Sequence, residues 1–199
     1  MFIESLLFLI IGALGWTLSE YLIHRFQFHG RGRSGPMTRE HTRHHKTAHH
    51  FAPTWHKLAL ALPTLVVLCT TLSFILPISG AVFLPLGFGL TYLAYEMYHR
   101  RLHTHAPKGP WGRRQRLHHY HHHFQDPSMN HGVTTPYWDM VFGTYAKVEA
   151  VKIPRRHLLS WMLDPQSGRI KDEFAQDYLS RDSDAIPASR AMPAPLRST

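Results

Sequence analysis

Residues 58–98 read LALALPTLVVLCTTLSFILPISGAVFLPLGFGLTYLAYEMY, and this run is the strongest indication of how the chain folds. It contains no lysine or arginine, and its single acidic residue, Glu96, stands close to its end. About 20 helical residues cross a hydrocarbon core about 30 Å thick, so the run is long enough to cross twice. Pro77-Ile78-Ser79-Gly80 stands in its middle as a turn signal without charge. The run predicts a helical hairpin of two spans, each about 19 residues long.

Residues 2–23 form another apolar stretch, in which the only charged residues are Glu4 and Glu20. This stretch is long enough to cross the bilayer once. It does not resemble a secretory signal peptide, because no basic residue precedes it and no small-residue cleavage pattern follows it. We therefore expect an all-α integral membrane protein with three transmembrane helices, the first of which is retained.

The charge of the chain follows these spans. The 199 residues carry a formal net charge of +9, and the basic residues cluster between spans one and two and after span three. The positive-inside rule places both basic segments in the cytoplasm, so their charge is explained by topology and lipid headgroups and not by a nucleic acid partner. We expect a membrane domain over residues 1–163 and, over 164–199, a short helix followed by a largely disordered tail.

Histidine is the unusual residue, with 18 copies, whereas the single cysteine, Cys69, excludes a disulfide framework and a cysteine-based metal site. Eight histidines lie between residues 24 and 56 and nine between 99 and 131, and the hairpin brings both sets to one membrane face. A His-x-x-His-His pattern occurs twice and puts three rings within a stripe about 100° wide on a helix. One further pair is spaced i, i+4. The pair His24 and His29 is spaced i, i+5, so these two residues either lie where span one ends or bind different ions. The ten candidate ligands are His24, His29, His41, His44, His45, His99, His103, His119, His122 and His123.

Ten imidazoles exceed the needs of one metal ion and suit two. Imidazole is a ligand for zinc, copper, iron and nickel, so ligand type leaves the metal open. A pair of redox metals at a membrane surface points to oxygen chemistry on a lipid. The alternative of a different class is a membrane metal transporter or metal-binding protein. A transporter is disfavoured because the span centres offer no polar side chain beyond threonine and cysteine.

The ordered histidine motifs are followed by Gly132-Val133-Thr134-Thr135-Pro136-Tyr137 and by Trp138-Asp139-Met140-Val141-Phe142-Gly143-Thr144. Over residues 16–145 this set resembles the fatty acid hydroxylase and sterol desaturase superfamily, and most of all its fatty acid 2-hydroxylase branch. The resemblance implies a membrane enzyme whose ten histidines hold two iron ions, with zinc as another ion that a structure can contain. It implies hydroxylation of the acyl chain of a fatty acid or lipid with O2, in a helical cap on the cytoplasmic side.

Some features depart from that family. No His-Pro-Gly-Gly haem motif is present, so we expect electrons from a separate donor that is cytochrome b5-like or ferredoxin-like. The family commonly has four spans, which leaves a fourth span open here. A carotenoid or sterol hydroxylase or desaturase of the same superfamily is the nearest alternative. We expect a multi-pass protein of a bacterial inner membrane or of the endoplasmic reticulum, with its C-terminus in the cytoplasm.

Acidic residues beside the motifs are candidates for orienting the ligands. Glu20 lies four residues before His24 and Glu96 three residues before His99, so each is expected to accept a ring N–H, or else to reach the headgroups. Asp126 and Asp139 are weaker candidates. Asn130 and His131 are expected to line the site. The remaining histidines near the motifs are expected to be solvated: His49, His50, His105, His118 and His121.

Overall fold

The computed structural model describes residues 1–32 and 34–181 of the chain. Its helices are α1 (Phe2–Leu22), which continues into a π-helix (Ile23–Phe28), α2 (Pro36–Lys46), α3 (Thr54–Ser73), α4 (Ile78–Thr104), α5 (Gly109–Phe124) and α6 (Tyr137–Val141). Strands β1 (Val151–Ile153) and β2 (Tyr178–Ser180) pair in parallel. Single 3-10 turns lie at Arg155–His157, Ser160–Met162 and Asp172–Phe174.

Three of these helices are long and apolar enough to cross a membrane: α1 with its π-helical extension, α3 and α4. Their outward side chains are apolar and exposed, as at Val66 and Val67, which is what a lipid-facing surface requires. The predicted all-α membrane architecture is confirmed, and so is the hairpin. Its turn lies at residues 74–77, slightly earlier than predicted, because Pro77 stands directly before the first turn of α4, where its missing N–H costs nothing.

The first span packs along α4 through two glycines. A Cβ atom at Gly12 would lie 2.0 Å from the carbonyl oxygen of Leu84, and one at Gly87 would lie 2.1 Å from that of Leu9. The two backbones therefore approach more closely than any side chain allows, which is the usual way that membrane helices gain contact area. The remaining membrane helix, α3, also packs against α4.

The cap is built on α5. Arg116 is buried and donates to the carbonyl oxygens of Leu102 and Arg101, at 2.8 and 3.0 Å, so it caps the C-terminal end of α4. The same guanidinium stacks on the ring of Trp161, 4.7 Å from its centroid. The outer side of α5 buries an apolar core formed with the C-terminal segment: Ala48, Leu117, Tyr120, Phe124, Val151, Ile153, Leu159, Met162 and Tyr178.

The predicted domain boundary at residue 163 falls inside this cap. Leu163 pairs with Ile170, β2 pairs with β1, and the half-exposed Arg113 of α5 forms an ion pair with the buried Asp177. Residues 164–181 are therefore folded onto α5 because they complete its apolar core. The short helix expected there is the 3-10 turn at Asp172–Phe174. The tail expected to be disordered falls on residues 182–199, which lie outside the described residues.

Candidate metal centre

The structure brings all ten predicted histidines together, in two groups of five. Within each group one ring nitrogen per residue lies within 4.8 Å of the others. The groups adjoin, since the ring of His45 in one stacks on that of His123 in the other with centroids 4.1 Å apart. Group one consists of His24, His29, His41, His45 and His122; group two consists of His44, His99, His103, His119 and His123.

Each His-x-x-His-His motif is divided between the two groups. His41 and His45 belong to group one, whereas His44 between them belongs to group two. At 100° per residue, positions i and i+4 differ by about 40°, whereas i+3 lies about 60° to the other side of i. One helix turn can therefore serve two adjacent ions. The second motif follows the same rule, with His119 and His123 in one group and His122 in the other.

The π-helix explains the unusual spacing of His24 and His29. Its backbone bonds join residues five apart, and the N–H of His29 donates to the carbonyl oxygen of His24 at 3.2 Å. Residues i and i+5 thus come into register, and the two ring centroids lie 5.1 Å apart. Of the two explanations that the sequence left open, the structure supports the one in which the pair lies at the end of span one. Both rings face the same group.

The nitrogen geometry fits metal ions. Adjacent ligands about 2.05 Å from a metal and 90° apart are separated by about 2.9 Å. The Nε2 atoms of His41 and His29 lie 2.9 Å apart, and those of His44 and His99 lie 3.0 Å apart. Among the described residues, Nε2 of His24 and Nε2 of His45 are buried without a hydrogen-bond partner. Nε2 of His123 in group two is buried without a partner in the same way. Buried lone pairs without donors are costly, so both groups are suited to holding a cation.

Backbone carbonyls hold several of these rings by their other nitrogen. His24 Nδ1 donates to the carbonyl oxygen of His131 at 2.5 Å, and His122 Nδ1 donates to that of Met129 at 2.8 Å. The Nδ1 atom of His44 donates to the carbonyl oxygen of His50 at 2.7 Å. A proton fixed on Nδ1 leaves the Nε2 lone pair directed at the centre of the group, which is the arrangement that metal-binding histidines use.

The rings outside the membrane helices are held in the neutral form. Burial and the neighbouring imidazoles lower the pKa of His45 to about 3, and burial lowers the pKa of His44 to about 4. For His29, burial and the nearby His131 lower the pKa to about 4. Neutral imidazole is the form that binds a metal ion, so the site needs no deprotonation step near pH 7.

Asp139, a weaker candidate from the sequence, is the carboxylate that organises the loop beside group one. It is fully buried and accepts hydrogen bonds from the backbone N–H groups of His131 and Gly132 and from Thr144 Oγ1, each at 2.8 Å, and from His118 Nε2 at 3.2 Å. Burial raises the pKa of this carboxyl, but the hydrogen bonds and the charge from His118 and the other donors outweigh burial, so the pKa lies below its usual value. Asp139 thus fixes the residue whose carbonyl orients His24.

Glu20 and Glu96 take other partners than the expected ring N–H groups. Glu20 accepts from the backbone N–H of Val133 at 2.6 Å and from both the backbone and the hydroxyl of Thr134. Glu96 pairs with Lys57 across the helical hairpin. In the part of the chain that the structure describes, no ring N–H donates to either carboxylate. A carboxylate at a membrane end needs donors nearby, and the folded chain supplies these from segments that are distant in sequence.

Histidines outside the ten also differ from the expectation of solvation. His118 is buried against Asp139, and His50 is half-buried and bonded to Glu40 at 2.6 Å. Because the carbonyl of His50 holds His44, Glu40 supports group two in the way that Asp139 supports group one. In the sequence, the position of Glu40 directly before His41 was the signal that could have indicated this role. His49 and His105 are exposed as expected, and His121 is half-buried.

Asn130 and His131 adjoin group one. The ring of His131 lies 5.1 Å from that of His122, and its Nε2 donates to the carbonyl oxygen of Ser128 at 3.0 Å. Asn130 adopts the left-handed conformation at φ 59° and bonds through its side chain to both backbone groups of Ala146. These bonds bend the chain after α5 so that the backbone of residue 131 reaches His24.

A cavity of about 750 Å³ runs from the two groups into the membrane region. It lies between α1, α3 and α4, and residues 34–38 cover part of it. His24 and His41 of group one and His99 of group two reach it, and its walls in the membrane are mainly apolar. A site that combines convergent imidazoles with an apolar channel can hold an acyl chain beside a metal centre.

Known proteins are similar to this chain in sequence and in fold. A family model described as "Fatty acid hydroxylase" matches residues 9–144. The fatty acid 2-hydroxylase of Rattus norvegicus is 34% identical over 148 residues, which cover 71% of this chain and 40% of that protein. The dihydroceramide fatty acyl 2-hydroxylase FAH2 of Arabidopsis thaliana is 32% identical over 149 residues, which cover 72% of this chain and 62% of that protein.

Two further matches agree. The ceramide very long chain fatty acid hydroxylase SCS7 of Saccharomyces cerevisiae is 32% identical over 147 residues, covering 70% of this chain and 38% of that protein. A solved structure titled "Full length scs7p (only hydroxylase domain visible)" superposes with a TM-score of 0.58 at 28% identity and covers 73% of this chain and 57% of that chain. This chain therefore spans between 38 and 62% of the length of these curated relatives.

Proposed function

We propose, from the premise that this chain belongs to the fatty acid hydroxylase family, that it hydroxylates the acyl chain of a fatty acid or lipid with O2. The observation that carries the proposal is the position of ten buried or half-buried histidines, in two adjoining groups of five, at the head of an apolar cavity in the membrane region. A transporter would need polar ligands along its spans, and the histidines lie instead at the membrane end of the helices.

The proposed ligands of the two ions are the five histidines of each group. Two iron ions, when bound, would supply the activation of O2 and the oxidising power that an unactivated C–H bond requires. We favour iron over zinc because zinc has no redox chemistry, although imidazole binds both. The reaction consumes one O2, two electrons and two protons for each C–H bond converted to C–OH, with water as the second product.

The side chains of this chain position the reactants. Backbone carbonyls orient His24, His44 and His122, so that each lone pair is directed at its ion. The apolar walls of the cavity bind the acyl chain and keep bulk water from the carbon that reacts. Glu20 fixes residues 133 and 134 against the end of span one, at the edge of that cavity.

The electron donor and the orientation in the membrane are parts of the same proposal. The basic segments between spans one and two and after span three favour a cytoplasmic cap. We propose that a separate cytochrome b5-like or ferredoxin-like protein supplies the electrons from that side. The proposed supply of electrons from the cytoplasm is the same for a bacterial inner membrane and for the endoplasmic reticulum.

Metal analysis with isotope labelling tests the proposal. The purified full chain is expected to hold about two iron ions. An expressing host grown under ¹⁸O₂ should gain hydroxylated acyl chains that carry one ¹⁸O atom. His122→Ala removes a ring of group one and should lower both readings, whereas His105→Ala, at an exposed histidine outside both groups, should change neither. Iron-loaded protein that adds no labelled oxygen to any lipid would contradict the proposal.

A further inference from the structure

The cavity has a defined inner end. Towards the cap it reaches the histidines of both groups, but towards the membrane interior each of its three helices contributes a last lining residue. These residues are Trp16 of α1, Leu65 of α3 and Phe88 of α4. We call these three residues the floor of the cavity.

Packed side chains form the floor. The ring of Trp16 contacts that of Phe88 edge-on, with centroids 5.3 Å apart, and lies 4.8 Å from the ring of Tyr92. Beside Phe88, a Cβ atom on Gly89 would lie 3.3 Å from Leu65 Cδ1, so α3 and α4 are in contact at this level. An aromatic layer and a helix contact therefore end the cavity, and Gly89, one residue closer to the cap than Phe88, lines the cavity without a side chain.

The distance from the histidines to the floor sets a length. Phe88 and His99 are eleven residues apart on α4, which corresponds to about 16 Å along the helix. An extended hydrocarbon chain advances about 1.25 Å per carbon, because its C–C bonds are about 1.5 Å long at tetrahedral angles. The cavity thus accommodates about a dozen carbons between the carbon at the metal centre and the methyl end.

We infer that the floor limits the length of the acyl substrate, so that the chain bound here extends about a dozen carbons beyond the oxidised carbon and is not a very long chain. This inference rests on the proposed function and deepens it. The end of a longer chain does not fit inside the cavity, so it loses the apolar contacts of the wall. Each methylene lost from an apolar site lowers kcat/KM about fourfold.

Variants that move the floor test the inference. Cells that express the full chain are supplied with an equimolar set of saturated fatty acids of 10 to 24 carbons, and hydroxylated acyl chains are measured by mass spectrometry. Gly89→Leu should lower conversion of the longest substrates of the wild type at least tenfold, while the shortest ones change less than twofold. Leu65→Ala should shift the limit to longer chains. Ala94→Leu is the matched control, since it adds the same side chain on the exposed side of α4, outside the cavity.

The outcomes separate this inference from the proposed function. Equal conversion of 14- and 24-carbon chains by the wild type, or the same profile in Gly89→Leu and Ala94→Leu, overturns the length limit. Absence of hydroxylated product at every length refutes the proposed function. In that case the length limit is tested by binding. Fatty acids of each length are used to displace a fluorescent fatty acid from the purified full chain. A length optimum that Gly89→Leu shortens supports the limit, and a flat profile overturns it. If Gly89→Leu fails to fold, Gly89→Ala provides a smaller shift in the same direction.

Discussion

Replacing Asp139 by alanine is expected to destabilise the cap and to weaken metal binding together. The change removes the acceptor of four groups, two of which are the buried backbone N–H groups of His131 and Gly132. Each buried donor left without an acceptor costs about 1–3 kcal/mol, and the side-chain bonds add about 1 kcal/mol each at most. The loss is then about 4 kcal/mol, which lowers the melting temperature of a chain of this size by about 10 °C.

Metal affinity should fall because Asp139 acts through the backbone of His131. When that residue is no longer fixed, its carbonyl no longer orients the ring of His24, and such a loss typically costs 10- to 100-fold in metal affinity. Thermal melting in detergent measures the stability, and iron retention against a chelator measures the affinity. Asp126→Ala is the control, since that carboxylate bonds only to Ser128 among the described residues. Equal melting and equal iron retention in the two variants would refute the reasoning.

Two further predictions concern the metal-free protein and the membrane helices. Without metal, the folded chain should be most stable above about pH 6.5 and should lose stability as the pH drops towards 4. The reason is that the unfolded chain binds protons at histidines whose pKa is lowered in the folded state. Melting temperatures at pH 7.5, 6 and 5 measure this, and equal values would contradict it. Gly87→Val should reduce thermal stability because its side chain would overlap the backbone of Leu9, whereas Gly112→Val, where nothing lies within 4 Å of a Cβ, should melt close to the wild type. Equal melting of the two valine variants would show that α1 and α4 do not depend on close approach. The histidines with the lowered values that support the pH prediction are His29, His44 and His45.

The membrane helices were readable from sequence because hydropathy is a local property. The absence of basic residues over 58–98 and a proline-glycine turn were sufficient to predict two spans and their connection. The packing of residues 164–181 against α5 was not predicted, for a different reason. The composition of residues 164–181 is that of a surface segment, and no sequence pattern in it indicates that Leu179 and its neighbours pair with β1.

The partners of the carboxylates near the metal centre could not be predicted from neighbouring residues in the sequence. Glu20 and Glu96 were selected because they precede a histidine by one helical turn, but each found a partner on another segment. Asp139 was ranked below them, and it follows the last motif by sixteen residues. Its role depends on a loop, bent at Asn130, that returns the chain to the end of span one.

Residue type and helical spacing were enough to predict the three spans and the ten histidines that meet at their membrane end. The division of these ten histidines between the two groups depends on tertiary packing. His41 and His45 face one centre and His44 the other, and His122 joins residues of the first span that lie nearly a hundred positions earlier. A helix fixes the angle between its own side chains, but the packing of α2 and α5 against the ends of α1 and α4 fixes which centre each side chain meets.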